Sequence, residues 1–300
     1  MPKPRLGLCC TFCDEPIRFR TTTVTAVKRL ERSAALAKLA ELCQANAEAL
    51  LAAVNFCAAE GIGCFRVNSQ ILPIKTHAEC GYRIEELPGW RNIVDGFQHC
   101  GEVAHTKNVR LTFHPDQFVV LNSPREEVVA SSLAELEYQA EVAEWIGADV
   151  INIHGGGAFG DKASALERFA RTLGRLSERV RRRLTVENDD RIYSPEELLP
   201  LCRIEGVPLV YDVHHHRCHR DRLSIKAATD AAIGTWDREP LFHISSPLEG
   251  WDGPKPERHH DYIDPGDFPS QWRKLAITVE VEAKAKERAV RQLAADLRRR

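Results

Sequence analysis

The sequence has almost no charge imbalance and no long apolar run. Its 41 lysines and arginines against 43 aspartates and glutamates give a formal net charge of −2, so any nucleic-acid-binding surface has to be a local basic patch. No segment reaches the roughly 18 consecutive apolar residues that mark a transmembrane helix. The N-terminal stretch MPKPRLGLCC lacks the longer apolar core of a secretory signal. We therefore expect a cytoplasmic protein with no membrane association.

Cysteine pairs that would indicate a zinc ribbon are also missing. Among the ten cysteines, Cys9, Cys10 and Cys13 lie close together, but no second pair follows at zinc-ribbon spacing. Without a secretory signal, the expected state is reduced thiols. We interpret most of the cysteines as small buried hydrophobic residues.

What the chain does have is a regular alternation of short β-branched runs and longer helical patterns. Eight candidate strands lie at residues 5–10, 64–69, 110–115, 150–156, 184–189, 208–215, 241–246 and 276–282. Apolar stripes at helical spacing occupy residues 34–60, 92–106, 126–147, 163–180 and 284–300. No linker rich in proline, glycine or serine interrupts the alternation. The pattern predicts an α/β fold, a single (β/α)8 TIM-barrel domain over residues 1–300.

Polar residues recur at the C-terminal ends of six predicted strands. They are His114, His154, Glu187, Asp212 with His215, His243 and Glu282. The carboxyl end of a TIM barrel is where its active site lies. Charges and imidazoles packed at one barrel mouth repel or desolvate one another unless cations bind among them. The sequence therefore predicts a metal site.

The candidate ligands are more numerous than one ion can use. His259 and His77 extend the set, so we expect two or three divalent ions that share carboxylates. Histidine and carboxylate ligands without cysteine suit Mn²⁺, Zn²⁺ or Fe. A shared multi-metal site of this kind favours in-line displacement at phosphorus.

The motifs at these positions resemble those of UV damage endonucleases. RVNS, FHPDQFVV, NIHGGG, TVEND, YDVHHHR, FHISSP, HHDYID and VEAKAKE occur in the order and spacing of that family, over roughly residues 5–287. The resemblance implies a barrel related to endonuclease IV and xylose isomerase. It also implies an enzyme that cuts DNA on the 5′ side of UV photoproducts with a cluster of manganese ions and without ATP.

The resemblance implies roles for particular residues. The positions that match the family's metal ligands are His77, His114, His154, Glu187, Asp212, His215, His243, His259 and Glu282. We expect Glu187, Asp212 and Glu282 to be the catalytic carboxylates that bridge or orient the ions. Gln117 and Phe118 match a pair that probes the lesion by occupying the space of the flipped bases.

Three positions depart from the family. Phe118 lies where tyrosine is common, a change that keeps the stacking face and loses a hydroxyl. Leu8 also replaces a tyrosine, which weakens the aromatic part of lesion recognition. Leu241 lies where the family usually has a lysine near the metals, and this change bears on metal affinity and rate.

Damaged double-stranded DNA is the expected partner, bound by a monomer. Arginines that follow the fifth and sixth strands can reach the barrel mouth and neutralise backbone phosphates. They are Arg191, Arg217, Arg220 and Arg222. For the histidines without a family match, His214, His216 and His219, we expect either a hydrogen bond to a ligand or solvent exposure.

Three other functions stay open on the sequence. A sugar isomerase or epimerase uses histidine and carboxylate metal sites on the same fold, and fold alone does not exclude it. An abasic-site endonuclease would share the metals and the chemistry and differ in the lesion. A damage-binding protein that has lost cleavage would bind DNA without nicking it.

Overall fold

Eight parallel β-strands close into a barrel in which each strand pairs with its neighbours in chain order. The computed structural model describes residues 3–299, so residues 1, 2 and 300 of the predicted domain lie outside it. The strands are β1 (Arg5–Cys9), β2 (Cys64–Val67), β3 (Arg110–Phe113), β4 (Val150–His154), β5 (Leu184–Glu187), β6 (Leu209–Asp212), β7 (Leu241–Ile244) and β8 (Thr278–Val281). Every predicted strand is confirmed, and the TIM barrel with them. The strands are almost wholly buried, since the barrel interior covers one face and helices cover the other.

Helices lie outside the barrel and enclose most of the apolar core between themselves and the strands. They are α1 (Val24–Lys28), α2 (Arg32–Ala59), α3 (Trp90–Thr106), α4 (Glu126–Ile146), α5 (Lys162–Leu173), α6 (Glu178–Arg181), α7 (Pro195–Glu205), α8 (Val213–Cys218), α9 (Ile225–Ile233) and α10 (Glu287–Arg299). Short 3₁₀ turns span Ile84–Glu86 and Ser270–Lys274.

Helix α2 is long and apolar enough to cross a membrane by length and composition alone. In the structure its face that contains Leu39, Cys43 and Leu50 is buried in the core. The core helix of a folded domain passes the same length and composition test, and α2 packs in that way against the barrel.

Two predicted helices have different boundaries in the structure. The stripe over residues 163–180 is two helices, because α5 ends at Leu173 and α6 begins at Glu178. The stripe over residues 284–300 becomes helical only at Glu287, after Lys286 adopts a left-handed φ of 49°. The segment between β8 and α10 is therefore a loop at the carboxyl end of the barrel.

Polar contacts cross the middle of the barrel interior. The Thr112 hydroxyl donates to the Glu280 carboxylate, and Cys64 Sγ lies 3.8 Å from Glu280 Oε1. Thr185 Oγ1 donates to Asn152 Oδ1 at 3.0 Å. All five residues are buried, so this part of the barrel is filled by side chains and is not a pore.

Ion pairs close the N-terminal end of the barrel. Arg5 Nε donates to Glu239 Oε1 at 3.0 Å, and Arg110 Nη2 donates to Asp149 Oδ2 at 2.8 Å. Arg110 Nη1 also donates to Thr278 Oγ1 at 3.0 Å, across the barrel from β3 to β8. The strand-end histidines and carboxylates lie at the opposite end.

Candidate metal centre

The strand-end side chains converge at the carboxyl end of the barrel. Those on or directly after β3 to β8 are His114, His154, Glu187, Asp212, His243 and Glu282. His215 follows in the short helix α8, whose first turn is capped by Asp212: its Oδ1 accepts from the His215 amide at 2.7 Å. A strand end that continues directly into a capped helical turn places both side chains at the barrel mouth.

Six of these seven side chains, all except His154, form three overlapping triads. In each triad one ligand atom from every member lies within 4.8 Å of the others. The triads are His114–Glu187–His243, Glu187–Asp212–His215 and Asp212–His243–Glu282. Glu187, Asp212 and His243 each belong to two of them. Carboxylates shared between neighbouring triads are what a multi-metal centre with bridging ligands requires.

His114 is held with one ring nitrogen toward the cluster. Its Nδ1 lies 3.0 Å from the Pro115 carbonyl oxygen, which can only accept, so Nδ1 carries a proton. In the neutral imidazole, Nε2 then directs a lone pair at Glu187 Oε2, 3.1 Å away. Either a proton or a metal cation between Nε2 and Oε2 would stabilise this contact. A backbone carbonyl that fixes the tautomer in this way is typical of metal-ligating histidines.

His154 flanks this group. Its ring centroid lies 5.1 Å from that of His114 and 5.9 Å from that of His215. His215 Nδ1 itself lies 3.3 Å from Glu187 Oε1. The histidines of β3, β4 and α8 therefore surround one carboxylate.

His259 and His260 have different environments. His259 Nδ1 lies 3.8 Å from Glu282 Oε2 and 3.2 Å from Ser245 Oγ. His260 Nδ1 instead accepts from the Tyr262 amide at 2.9 Å and stabilises a turn. Of the two, His259 is the one next to the cluster.

Arg66 and Glu280 complete the centre and were not predicted as site residues. Arg66 Nε donates to Glu280 Oε2 at 2.5 Å, and its Nη2 lies 2.7 Å from Glu282 Oε1. Glu280 Oε2 in turn lies 3.1 Å from His243 Nε2, while His243 Nδ1 lies 3.1 Å from Glu187 Oε1. Arg66 Nη2 also lies 2.9 Å from His243 Nε2, so Glu280 and Arg66 together fix the ring while Nδ1 faces the cluster. The sequence signal was an arginine inside an otherwise apolar strand.

The electrostatic environment keeps the Glu187 carboxylate ionised and shifts the pKa values of the histidines in different directions. Burial alone would raise the pKa of Glu187, but the imidazoles of His243 and His154 lower it well below its ordinary value. Burial lowers the pKa of His154. Burial would also lower the pKa of His243, yet the Glu187 carboxylate raises it to about 10. His154 is therefore a ready neutral ligand, whereas His243 holds a proton that a cation has to displace.

The donor set fits divalent cations. In the part of the chain that the structure describes, His154 Nδ1 and Asp212 Oδ2 are buried without a hydrogen-bond partner, and buried polar atoms are normally paired. Among residues 3–299, the four carboxylates of the centre face the Arg66 guanidinium and the imidazoles of His215 and His243, whose pKa values the neighbouring carboxylates raise. Cations bound among these atoms would satisfy both the unpaired ligands and the excess negative charge.

His77 belongs to none of the three triads within residues 3–299. Its Nδ1 accepts from the amides of Glu79 and Cys80, both at 3.2 Å. Its second ring nitrogen has no hydrogen bond among those the structure describes, so the predicted role of His77 as a ligand stays a prediction.

The predicted lesion probe lies on an exposed loop. Gln117 and Phe118 follow β3, and the Phe118 side chain is 77% exposed. A single exposed hydrophobic side chain is common on protein surfaces, so the lesion-probing role of Phe118 stays a prediction. The loop begins at His114 and Gln117 lies three residues further on, so the pair is on the loop that leaves the carboxyl end of β3.

The predicted DNA-binding arginines mostly have carboxylate partners. Arg217 Nη1 lies 3.4 Å from Asp267, and the guanidinium of Arg222 pairs with Glu196 at 2.5 Å. Exposed Arg191 lies 3.2 Å from Asp190. Arg220 contacts only the Arg217 carbonyl oxygen among the hydrogen bonds described, at 3.4 Å. Their contacts to DNA stay predictions.

Of the remaining histidines after β6, His214 and His216 are buried and His219 is partly buried. His216 bonds the Tyr211 hydroxyl at 2.7 Å and Asp221 at 2.9 Å, which makes it structural. His214 is fully buried, and neither ring nitrogen has a hydrogen bond. It packs against the rings of Trp251 and His259 at 5.2 Å. For His214 and His216 both expected states, solvent exposure and a hydrogen bond to a metal ligand, are therefore wrong among the contacts that the structure describes.

Leu241 lies one layer below His243 in the barrel. It is 1% exposed and packs with Val150, Val210 and Trp236. The position at which the family usually has a lysine is thus part of a small apolar cluster in this chain.

A TIM barrel with overlapping histidine and carboxylate triads at its carboxyl end defines a class of barrel proteins with a candidate metal-binding site at the mouth. Within that class, the chain belongs to the UV-endonuclease UvdE family, whose model matches residues 4–300. This confirms the resemblance found in the sequence.

Individual relatives agree. The UV DNA damage endonuclease of Deinococcus radiodurans is 35% identical over 302 residues, which cover 97% of this chain and 94% of the relative. The crystal structure of SacUVDE matches with a TM-score of 0.88 and 25% identity, over 99% of this chain and 98% of that one. Endonuclease IV from Thermus thermophilus shares the fold, with a TM-score of 0.63 and 17% identity over 99% and 98% of the two chains.

Proposed function

We propose that this chain is a metal-dependent DNA repair endonuclease that hydrolyses the phosphodiester on the 5′ side of UV photoproducts. The observation that carries the proposal is the set of three triads that share Glu187, Asp212 and His243, in a chain whose relative from Deinococcus radiodurans is a UV DNA damage endonuclease. Residues 1–300 act as one cytoplasmic, monomeric domain on damaged double-stranded DNA.

The cofactors of the proposed enzyme are two to three divalent cations, most simply Mn²⁺, and no ATP. The nitrogen and oxygen donors without a thiolate favour this choice. The proposed ligands are His114, His154, Glu187, Asp212, His215, His243, His259 and Glu282, with His77 as a further ligand. Cations held here would supply charge neutralisation for a phosphodiester and would activate the attacking water.

The protein's own residues would position these ligands and the substrate. Glu187 and Asp212, each shared by two triads, would bridge neighbouring sites, and Glu282 would orient its site through its contact with Arg66. Because the carboxylates are fixed by the strands, the centre would be preorganised for a reaction that needs positioning more than covalent chemistry.

Lesion recognition would come from deformability and from the exposed loop after β3. A photoproduct already distorts the duplex, so extruding the damaged bases costs less than in undamaged DNA. Gln117 and Phe118 would enter the vacated stack and offset part of that cost by contact with neighbouring bases. Arg191, Arg217, Arg220 and Arg222 would anchor phosphates, and three of them would exchange a carboxylate partner for a phosphate on binding.

Nicking of supercoiled plasmid tests this function. Three forms are compared, undamaged, UV-irradiated and depurinated, each with Mn²⁺ or with EDTA. We expect metal-dependent relaxation of the irradiated form, lost in His114→Ala. The matched control is His105→Ala, an exposed histidine at the N-terminal end of the barrel, which should leave nicking unchanged.

The other outcomes distinguish the alternatives. Preference for the depurinated plasmid would assign the chain to abasic-site repair. Saturable binding of irradiated DNA without nicking would identify a damage-binding protein. If the protein neither binds nor nicks any form of the plasmid, the nuclease function is excluded. Sugar isomerase or epimerase substrates would then be tested.

A further inference from the structure

A basic cleft opens directly beside the candidate metal centre. It has a volume of about 470 Å³, within the range of small-ligand pockets. We name it the β8 cleft. The residues that line it are Cys9, Cys10, Arg66, Arg258, His259, Glu282, Ala283, Lys284 and Lys286. Glu282 and His259 also belong to or flank the triads, so a ligand in the β8 cleft would lie next to bound cations.

The charged side chains of the β8 cleft that lack a close carboxylate partner are positive. Arg66 is neutralised by Glu280 and Glu282, which leaves Arg258, Lys284 and Lys286. In the part of the chain that the structure describes, neither lysine ammonium has a carboxylate within 4.0 Å, and Arg258 has only Glu249 at 3.9 Å. The arginines after β5 and β6 differ, because three of those four pair with carboxylates.

The backbone around the β8 cleft is fixed. The Lys284 amide donates to the His260 carbonyl oxygen at 3.2 Å, and the Ala285 amide donates to the Asp261 carbonyl oxygen at 3.0 Å. The buried carboxylate of Glu287 accepts from the Cys13 amide at 2.9 Å. These bonds join the lysine loop to both the loop of His259 and the loop after β1. The lysines therefore extend from a rigid base, which lowers the entropic cost of binding an anion.

From this geometry we propose that the β8 cleft binds a backbone phosphate of DNA next to the cleaved one, through Lys284, Lys286 and Arg258. The inference rests on the proposed function for the identity of its ligand. A phosphate fits because it is an anion that meets unpaired ammonium groups on one side and the cation site on the other. The substrate strand would then cross the mouth from the exposed Phe118 loop toward the loop after β8.

The test compares Lys284→Gln/Lys286→Gln with Lys3→Gln/Lys107→Gln, which removes two lysines from a pocket at the N-terminal end of the barrel. Both variants lose the same charge. Binding of an undamaged duplex, which the enzyme should not cut, is measured with Mn²⁺ at several salt concentrations. We expect the first variant to reduce the slope of log affinity against log salt by about 1, the loss of one phosphate contact, and the control to leave it unchanged. Lys284→Arg/Lys286→Arg should restore the slope.

A second arm uses inorganic phosphate alone, as a competitor for the duplex. Phosphate should compete with wild type and lose most of this effect in the Lys284→Gln/Lys286→Gln variant. Equal slopes and equal competition in both glutamine variants would overturn the β8 cleft as a phosphate site, even if irradiated plasmid is nicked. Lysine-dependent phosphate binding without any nicking would support the cleft and refute the proposed function.

Discussion

His259 and His260 are adjacent in the chain but have different contacts in the structure. The first faces Glu282 and the second stabilises a turn through the Tyr262 amide. Both lie in a loop, where no strand or helix period indicates which side chain points inward. The sequence alone selected His259 through its family motif, and the structure supplies the physical reason.

Removing each of these two histidines gives a matched pair of variants. We expect His259→Ala to bind less Mn²⁺ per chain than wild type, because it loses an imidazole beside Glu282. His260→Ala should keep the wild-type metal content. Metal analysis after gel filtration measures both, and a larger loss in His260→Ala would contradict the assignment.

Arg66 is the residue on which the buried carboxylates depend in the metal-free protein. We expect Arg66→Met to lower the free energy of unfolding by about 3–5 kcal/mol, because Glu280 and Glu282 lose their counter-charge while buried. Urea denaturation in EDTA measures this.

Arg222→Met provides the control for charge removal. The Arg222 side chain is 88% exposed and pairs with Glu196, and an exposed pair contributes about 0–1 kcal/mol. Similar losses in the two variants would show that the Arg66 contacts do not stabilise the centre.

The sequence revealed the converging strand-end side chains of the candidate centre better than the residues that support them. His114, His154 and Glu187 were found because polar residues end apolar runs there. Arg66 and Glu280 lie inside strands that are covered on both faces, so alternation does not reveal which side chains point into the barrel. Their partners come from strands far apart in the chain, a relation that no local pattern contains.

At the scale of single elements, the loop after β4 is built around Asn122. Asn122 Nδ2 donates to the carbonyl oxygens of Gly155 and Gly157, both at 2.8 Å. Gly156, between them, has a φ of 81°, and a Cβ there would lie 2.2 Å from Asn122 Oδ1. The loop that directly follows His154 is therefore fixed by a buried amide.

Gly156→Ala should destabilise the protein more than Gly160→Ala. Both glycines have positive φ, but a Cβ at Gly160 meets nothing within 4 Å. Each variant should lose about 1–2 kcal/mol from backbone strain, and Gly156→Ala a further 1–3 kcal/mol, roughly, from the displaced amide. Thermal unfolding of both variants measures the difference, and equal losses would argue against the role of Asn122.

Elements were predicted well where their periods are clear. All eight strands were found, whereas the stripe over residues 163–180 was wrongly read as one helix. Phe169, Leu173, Leu176 and Val180 keep helical spacing across the break between α5 and α6. The spacing of apolar residues shows which side chains face the core. It does not reveal a break between two helices when the side chains on both sides of the break still face the core.

At the scale of the whole molecule, metal binding and proton release should be linked. The pKa of His243 is raised to about 10, so its imidazole is protonated in the metal-free protein near neutrality. A cation has to displace that proton, and apparent affinity should therefore increase with pH below 10. Calorimetry with Mn²⁺ at pH 6.5 and pH 8, in buffers of different ionisation enthalpy, should show tighter binding at the higher pH and net proton release. Affinity that does not change with pH would contradict this linkage.

The barrel interior is filled by buried side chains, and the ion pairs of Arg5 and Arg110 lie at its N-terminal end, so the candidate metal centre is reached from the carboxyl end. Cations, water and DNA must then all use the mouth. A duplex lying across it would act as a lid that retains the ions beneath, so a chelator should strip the free enzyme faster than the DNA-bound one. A lost ion would then be replaced in the interval between the release of one DNA molecule and the binding of the next.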